Sequence, residues 1–281
     1  MMRRRVIGGL GRRVFVFLGL CLAVILVFLY VFTREHKLNG LLVDLELAAP
    51  DLSRHNALRE VLTNRLQSEV PSLHNTPITI RYVHFTDLTR KDLTGRDLDF
   101  VILSPQSTPW YKYNGEAGRK LESAKELIRN LVLKGDVPVL GICGGFQFLA
   151  LAFGGSVDFI DSNLIGAFPD SYPKDACAER GEVVLHILRR DDPIFAGLAG
   201  QSDKLTVMEN HYEEVKAVPK GFINLATSNM SPVQLIRFPD KPVYGAAFHP
   251  ERCPEGGNGS EATMCNGRQI LVNFLKMASR K

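Results

Sequence analysis

The chain has 281 residues, 45% of them apolar and 23% charged, with a formal net charge of +4. This composition excludes a disordered, collagen-like or disulfide-scaffold protein and has room for one large domain or two small ones. The positive balance sits at the N-terminus: without Arg3, Arg4, Arg5, Arg12 and Arg13, 29 basic residues face 30 acidic ones, so no nucleic-acid-binding face is implied.

After a basic tail over 1–13, "VFVFLGLCLAVILVFLYVF" from Val14 to Phe32 carries neither charge nor proline. As a helix rising about 1.5 Å per residue it approaches the roughly 30 Å hydrocarbon thickness of a bilayer. The arginine excess before it predicts a single-pass membrane protein, with a cytoplasmic N-terminus and the remaining chain outside the cytoplasm. A cleaved signal peptide fits less well, because the run is long and "FTREHKLNG" offers no small-x-small site. "GRRVFVFLG" also has a twin-arginine look. A polar stem over 33–39 then leads into one domain over 40–281.

That domain alternates strand-like and helix-like pieces. "GLLVDLELA" reads as a strand, and Asp51 to Val70 has apolar residues at helical spacing. "ITIRYVHF" and "DFVILS" read as strands, and Gly115 to Gly135 as an amphipathic helix. "VPVLGI" is a strand, and "GGFQFLALAFGG" a helix ending at a glycine pair. Residues 183–248 are richer in strands, and "GRQILVNFLKMASR" closes the chain as a helix. The alternation predicts an α/β fold with a mostly parallel central sheet flanked by helices, here preceded by one transmembrane helix.

Within "VPVLGICGGFQFLALAFGG", Cys143 stands between a strand and a helix, with glycines on both sides. That is the setting of a nucleophile elbow. A sharp turn exposes the side chain, glycines relieve backbone crowding, and the helix N-terminus favours a thiolate and can hold an oxyanion. A buried structural cysteine is the competing reading. "PVYGAAFHPER" then places His249 directly after a strand, with Glu251 two residues on. A cysteine nucleophile needs a base, and the base needs an orienting group, so the pair completes a candidate triad.

These segments resemble the class I glutamine amidotransferase-like superfamily, whose triad is Cys-His-Glu. "GICGGFQFLA" is similar to its G-x-C-x-G-x-Q elbow, and "YGAAFHPE" to its G-x-Q-F-H-P-E segment. "ILSPQSTP" is similar to its oxyanion loop, and "GRQILVNFLK" to its closing helix. The resemblance covers residues 40–278 and implies a flavodoxin-like sheet. It implies that Cys143 attacks the glutamine side-chain amide to form a thioester, that His249 shuttles the proton, and that Glu251 orients His249. It further implies an oxyanion hole at the Gly144 and Gln106 backbone, and a glutamine pocket near Gln147. Gln106, Phe146 and Ala247 stand where many members carry glycine, histidine and glutamine.

His211 in "MENHYEEV" reads as a solvated loop residue rather than a lining of the substrate mouth. In an exported domain Cys253 and Cys265 are candidates for a disulfide closing a short loop. Their spacing is not that of a common zinc site, and neither metal nor cofactor is expected. Three functions stay open. The first is a glutaminase-type subunit that passes ammonia to a separate synthetase. The second is a stand-alone hydrolase of γ-glutamyl bonds or another Cys-dependent amidase. The third is a non-catalytic, membrane-tethered binding protein. The small-molecule partner expected is glutamine or a γ-glutamyl compound.

Overall fold

The computed structural model describes residues 37–47, 77–95, 97–167, 172–173, 175–198, 203–253 and 265–279. The helix expected from Asp51 to Val70 lies outside the described residues.

Near-continuous apolar runs make the centre of the sheet. β1 (Leu38–Asp44), β2 (Ile78–His84), β3 (Phe100–Leu103) and β4 (Val139–Ile142) are joined by β11 (Val243–Ala246) in a parallel set, ordered β2-β1-β3-β4-β11. β3, β4 and β11 are buried at every residue. Strands covered on both faces read as unbroken apolar stretches. The sheet continues beyond β11 as β10 (Leu235–Phe238), β9 (Ile223–Thr227), β6 (Glu179–Ile187) and β7 (Lys204–His211). Each of these pairs antiparallel with its neighbour. The expected α/β class therefore holds, and the strand-rich region 183–248 supplies an antiparallel wing. A separate two-stranded ribbon, β5 (Val157–Phe159) with β8 (Glu213–Val215), was not visible in the sequence pattern.

Period-two alternation divides the core between the two sheet faces. Leu38, Leu42, Phe100 and Ile102 point to one side, where α4 (Gly267–Ala278) packs through Ile270, Leu271 and Phe274. Leu41, Val43, Val101 and Leu103 point to the other. There they meet α2 (Gly115–Lys134) and α3 (Gly144–Ala152). A one-turn helix, α1 (Arg90–Leu93), precedes β3. The Lys241 ammonium donates to the carbonyls of Val132, Leu133 and Gly135, capping the negative end of α2.

The expected placement as a single-pass membrane protein with an extracytoplasmic domain is corrected. Among the described residues no helix is long and apolar enough to cross a membrane. The 20-residue α2 has the length, but it carries Glu116, Arg119, Lys120, Glu122 and Lys125, which hydrocarbon would not accept. Val14 to Phe32, on which the expectation rested, lies outside the described residues.

Candidate active site

β4 ends at Ile142 and α3 begins at Gly144, so Cys143 occupies the N-cap position between them. Its φ of 49° and ψ of −104° are unfavourable for a residue with a Cβ, typically by about 1–3 kcal/mol. The strain is held by backbone bonds on both sides. The Cys143 N–H donates to Ala246 of β11 at 2.8 Å, and its carbonyl accepts from Gln147 N–H at 3.1 Å. The glycines that follow answer to crowding. A Cβ on Gly145 would lie 2.2 Å from the Leu103 carbonyl oxygen, and one on Gly144 2.8 Å from the Gln106 nitrogen. The free thiol therefore sits at the start of α3, where first-turn N–H groups lack intrahelical acceptors.

β11 lies beside β4 in parallel register, with Ala246 opposite Ile142. The chain leaving β11 consequently emerges next to the elbow. His249 is 2% exposed and its N–H donates to the Met208 carbonyl of β7 at 2.7 Å. A single 3₁₀ turn over Pro250–Arg252 brings Glu251 back, and Glu251 Oε1 lies 2.7 Å from His249 Nδ1. Nδ1 thus carries the hydrogen donated to the carboxylate, and Nε2 remains for the nucleophile. Burial opposes a charged ring. The charges of Cys143 and then Glu251 outweigh it and push the His249 pKa up to about 10. Such a ring holds a proton that it can pass to a leaving group.

Gln106 follows β3 and packs against Gly144, with its Cγ 2.3 Å from where a Gly144 Cβ would be. Among described non-glycine residues only Cys143 and Asp240 have positive φ, so the Gln106 backbone keeps an ordinary conformation at the position where the family places glycine. Its loop is gripped from β1's end by Glu46, a residue not singled out in the sequence. That carboxylate accepts from the Ser107 N–H at 2.8 Å and from the Ser107 and Thr108 hydroxyls. Burial alone would raise the Glu46 pKa, but these bonds hold it below the ordinary value. Gln147 lies one turn into α3, where its Oε1 accepts from Trp110 at 2.7 Å and its Nε2 donates to the Glu213 carbonyl at 2.8 Å. Both ends of its amide are thus held, one by Trp110 and one by the Glu213 backbone.

His211 is not solvated. It ends β7, is 5% exposed, and contacts Glu179 and Glu209. Burial works against its charge, yet the two carboxylates hold its pKa well above the usual value. Glu213 is a second hidden carboxylate: it accepts from Tyr172 at 3.1 Å, and burial pushes its pKa up to about 7. The period-two signal of β7 placed His211 inward, but a polar residue at the end of an apolar alternation carries little warning in sequence. Cys253 and Cys265 are bridged, which ties the turn bearing Glu251 to the start of α4.

Fold and site together define an α/β protein with a strained cysteine at the end of a central strand, near a buried histidine–glutamate pair. The class-I glutamine amidotransferase model matches residues 61–261, and the chain belongs to that family. It is 32% identical over 206 residues to a glutamine-hydrolyzing GMP synthase subunit of Methanosarcina barkeri, covering 71% of this chain and 94% of that protein. The corresponding protein of Pyrococcus abyssi is 36% identical over 142 residues, covering 50% of this chain and 61% of that one. Among solved structures, a protein of Thermoplasma acidophilum described as a GMP synthase subunit has a TM-score of 0.58 and 26% identity, over 88% of this chain and 96% of that one. A glutamine amidotransferase of Thermotoga maritima shares the fold, with a TM-score of 0.56 and 15% identity over 88% of this chain and 100% of that one.

Proposed function

We propose that the domain expected over 40–281, whose first strand β1 begins two residues earlier at Leu38, hydrolyses the side-chain amide of glutamine and releases glutamate and ammonia. The observation that carries this reading is the strained Cys143 elbow beside the buried His249–Glu251 pair. The Cys143 thiolate adds to the amide carbon, and the oxyanion is stabilised by the backbone N–H groups of Gly144 and Gln106. Protonated His249 gives its proton to the departing nitrogen, which leaves as ammonia while the thioester forms. Water, losing a proton to His249, then opens the thioester, and glutamate departs with the thiolate restored. Glu251 holds the ring through both steps. Gln147 positions the pocket through Trp110 and the Glu213 backbone.

The relatives' names support a further step: ammonia passes to a separate synthetase, because those relatives are named as one subunit of a GMP synthase. No particular feature of the site favours a stand-alone γ-glutamyl hydrolase or a binding protein over this reading. The test incubates the full chain and Cys143→Ala with an electrophilic glutamine analogue and reads intact mass and labelled peptide. Labelling at Cys143 that free glutamine prevents is expected. An unlabelled Cys143, or labelling that glutamine does not prevent, overturns the glutaminase reading.

A further inference from the structure

The inward face of β7 begins with Leu205 and Val207 and continues with Glu209 and His211. Across the ladder, Glu179 of β6 lies directly opposite His211. All three side chains are buried. His211 Nε2 is 3.3 Å from Glu179 Oε2 and 3.2 Å from Glu209 Oε2. One ligating atom from each residue falls within 4.8 Å of the others.

Three observations point to a cation among them. First, His211 Nδ1 lies 2.9 Å from the Glu213 carbonyl oxygen, which can only accept. Nδ1 is thereby committed to that carbonyl and Nε2 is left facing the two carboxylates, the arrangement of a metal-bound imidazole once a cation replaces the Nε2 proton. Second, both Glu209 oxygens and His211 Nε2 are buried without a hydrogen-bond partner. A proton on Nε2 serves one carboxylate oxygen at most, so it leaves Glu209 largely unserved. Third, two ligands bound about 2.0–2.1 Å from a tetrahedral cation lie roughly 3.3–3.4 Å apart, close to the two separations of His211 from the carboxylates. Glu179 is also held in place, by the Ser228 hydroxyl donating to Oε1 and the Gln234 amide donating to Oε2, as ligating carboxylates commonly are.

We propose that Glu179, Glu209 and His211 form a binding site for a divalent cation of the zinc–manganese class. One imidazole nitrogen with two carboxylate oxygens suits these ions better than magnesium, which prefers oxygen ligands and retains its water. Three protein ligands leave a coordination position for water. The ion neutralises both buried carboxylates and ties the ends of β6 and β7 together. Met208, whose carbonyl fixes the His249 backbone, lies at that end. The site stands independently of the glutaminase reading, because its probe is the metal alone.

The test uses the metal-free full chain in a Cys21→Ser, Cys143→Ser, Cys177→Ser background, which removes every cysteine outside the Cys253–Cys265 bridge as a competing ligand. Zinc or manganese chloride is titrated calorimetrically, and melting is followed in parallel. The expected result is one equivalent bound, a rise in melting temperature, and at least tenfold weaker binding in Glu209→Gln and His211→Asn. Absence of stoichiometric binding, or equal binding by these variants, overturns the proposal. If the variants do not fold, anomalous scattering from a manganese-soaked crystal of the parent decides. A peak among the three side chains supports the site, and its absence there rejects it.

Discussion

His249 shows how far a single side chain is governed by its neighbours. Burial alone would lower its pKa, whereas Cys143 and Glu251 raise it to about 10. Replacing Cys143 by alanine removes the largest raising influence, so the His249 pKa should fall well below that of the wild type, as read from the imidazole resonances in an NMR titration. The sign for stability follows. The folded pKa exceeds an unfolded value near 6.5, so this stabilisation is fully present below about pH 6.5 and is lost as pH rises through about 10. Denaturant unfolding across that window should show a smaller loss in Cys143→Ala. An unchanged titration would mean that the thiol and the ring do not interact. Cys143, His249 and Glu251 were all legible in the sequence, because glycine crowding and a strand-end His-Pro-Glu are local signals. Glu46 was not, since its partners Ser107 and Thr108 lie about sixty residues away and meet it only through the pairing of β1 with β3.

Among elements, the loop after β3 depends on β1 for its shape. Glu46→Ala removes the acceptor for the Ser107 N–H and for two hydroxyls, and frees the Gln106 backbone to drift from Gly144. Misplacement of an oxyanion donor by about 1 Å can lower the rate about a hundredfold. Glutaminase assays should therefore show kcat reduced by about ten- to a hundredfold, with KM changed less and far-UV circular dichroism retained. Unchanged kcat would separate the loop from catalysis. The helices α2 and α4 could be read from their periodicity, and α3 from the glycine pair that ends it. The ribbon of β5 and β8 could not, because three-residue strands hold less than two periods of alternation. His211 was misassigned for a related reason: β7 runs through Glu209 and Asn210 to His211, past the apolar alternation of Leu205 and Val207.

At the scale of the whole molecule, the disulfide fastens the end of the His-Glu turn to the start of the last helix. Closing a 12-residue separation restricts the unfolded chain by about 3 kcal/mol in the loop-entropy model. Replacing both Cys253 and Cys265 with serine should lower unfolding stability by that order and reduce kcat, measured by urea denaturation and by ammonia release. Unaltered kcat would show that the Glu251 turn holds its place without the bridge. The sheet order carries a different consequence. Gly141 of β4 pairs with Gly245 of β11, so the elbow leaves the ribosome roughly a hundred residues before its base. At about 5–20 residues per second that interval is some 5–20 s. Ala246, which anchors the Cys143 N–H, is synthesised late as well. The elbow therefore waits in the nascent chain without its partner strand, and Cys143 and His249 come together only when the final central strand docks.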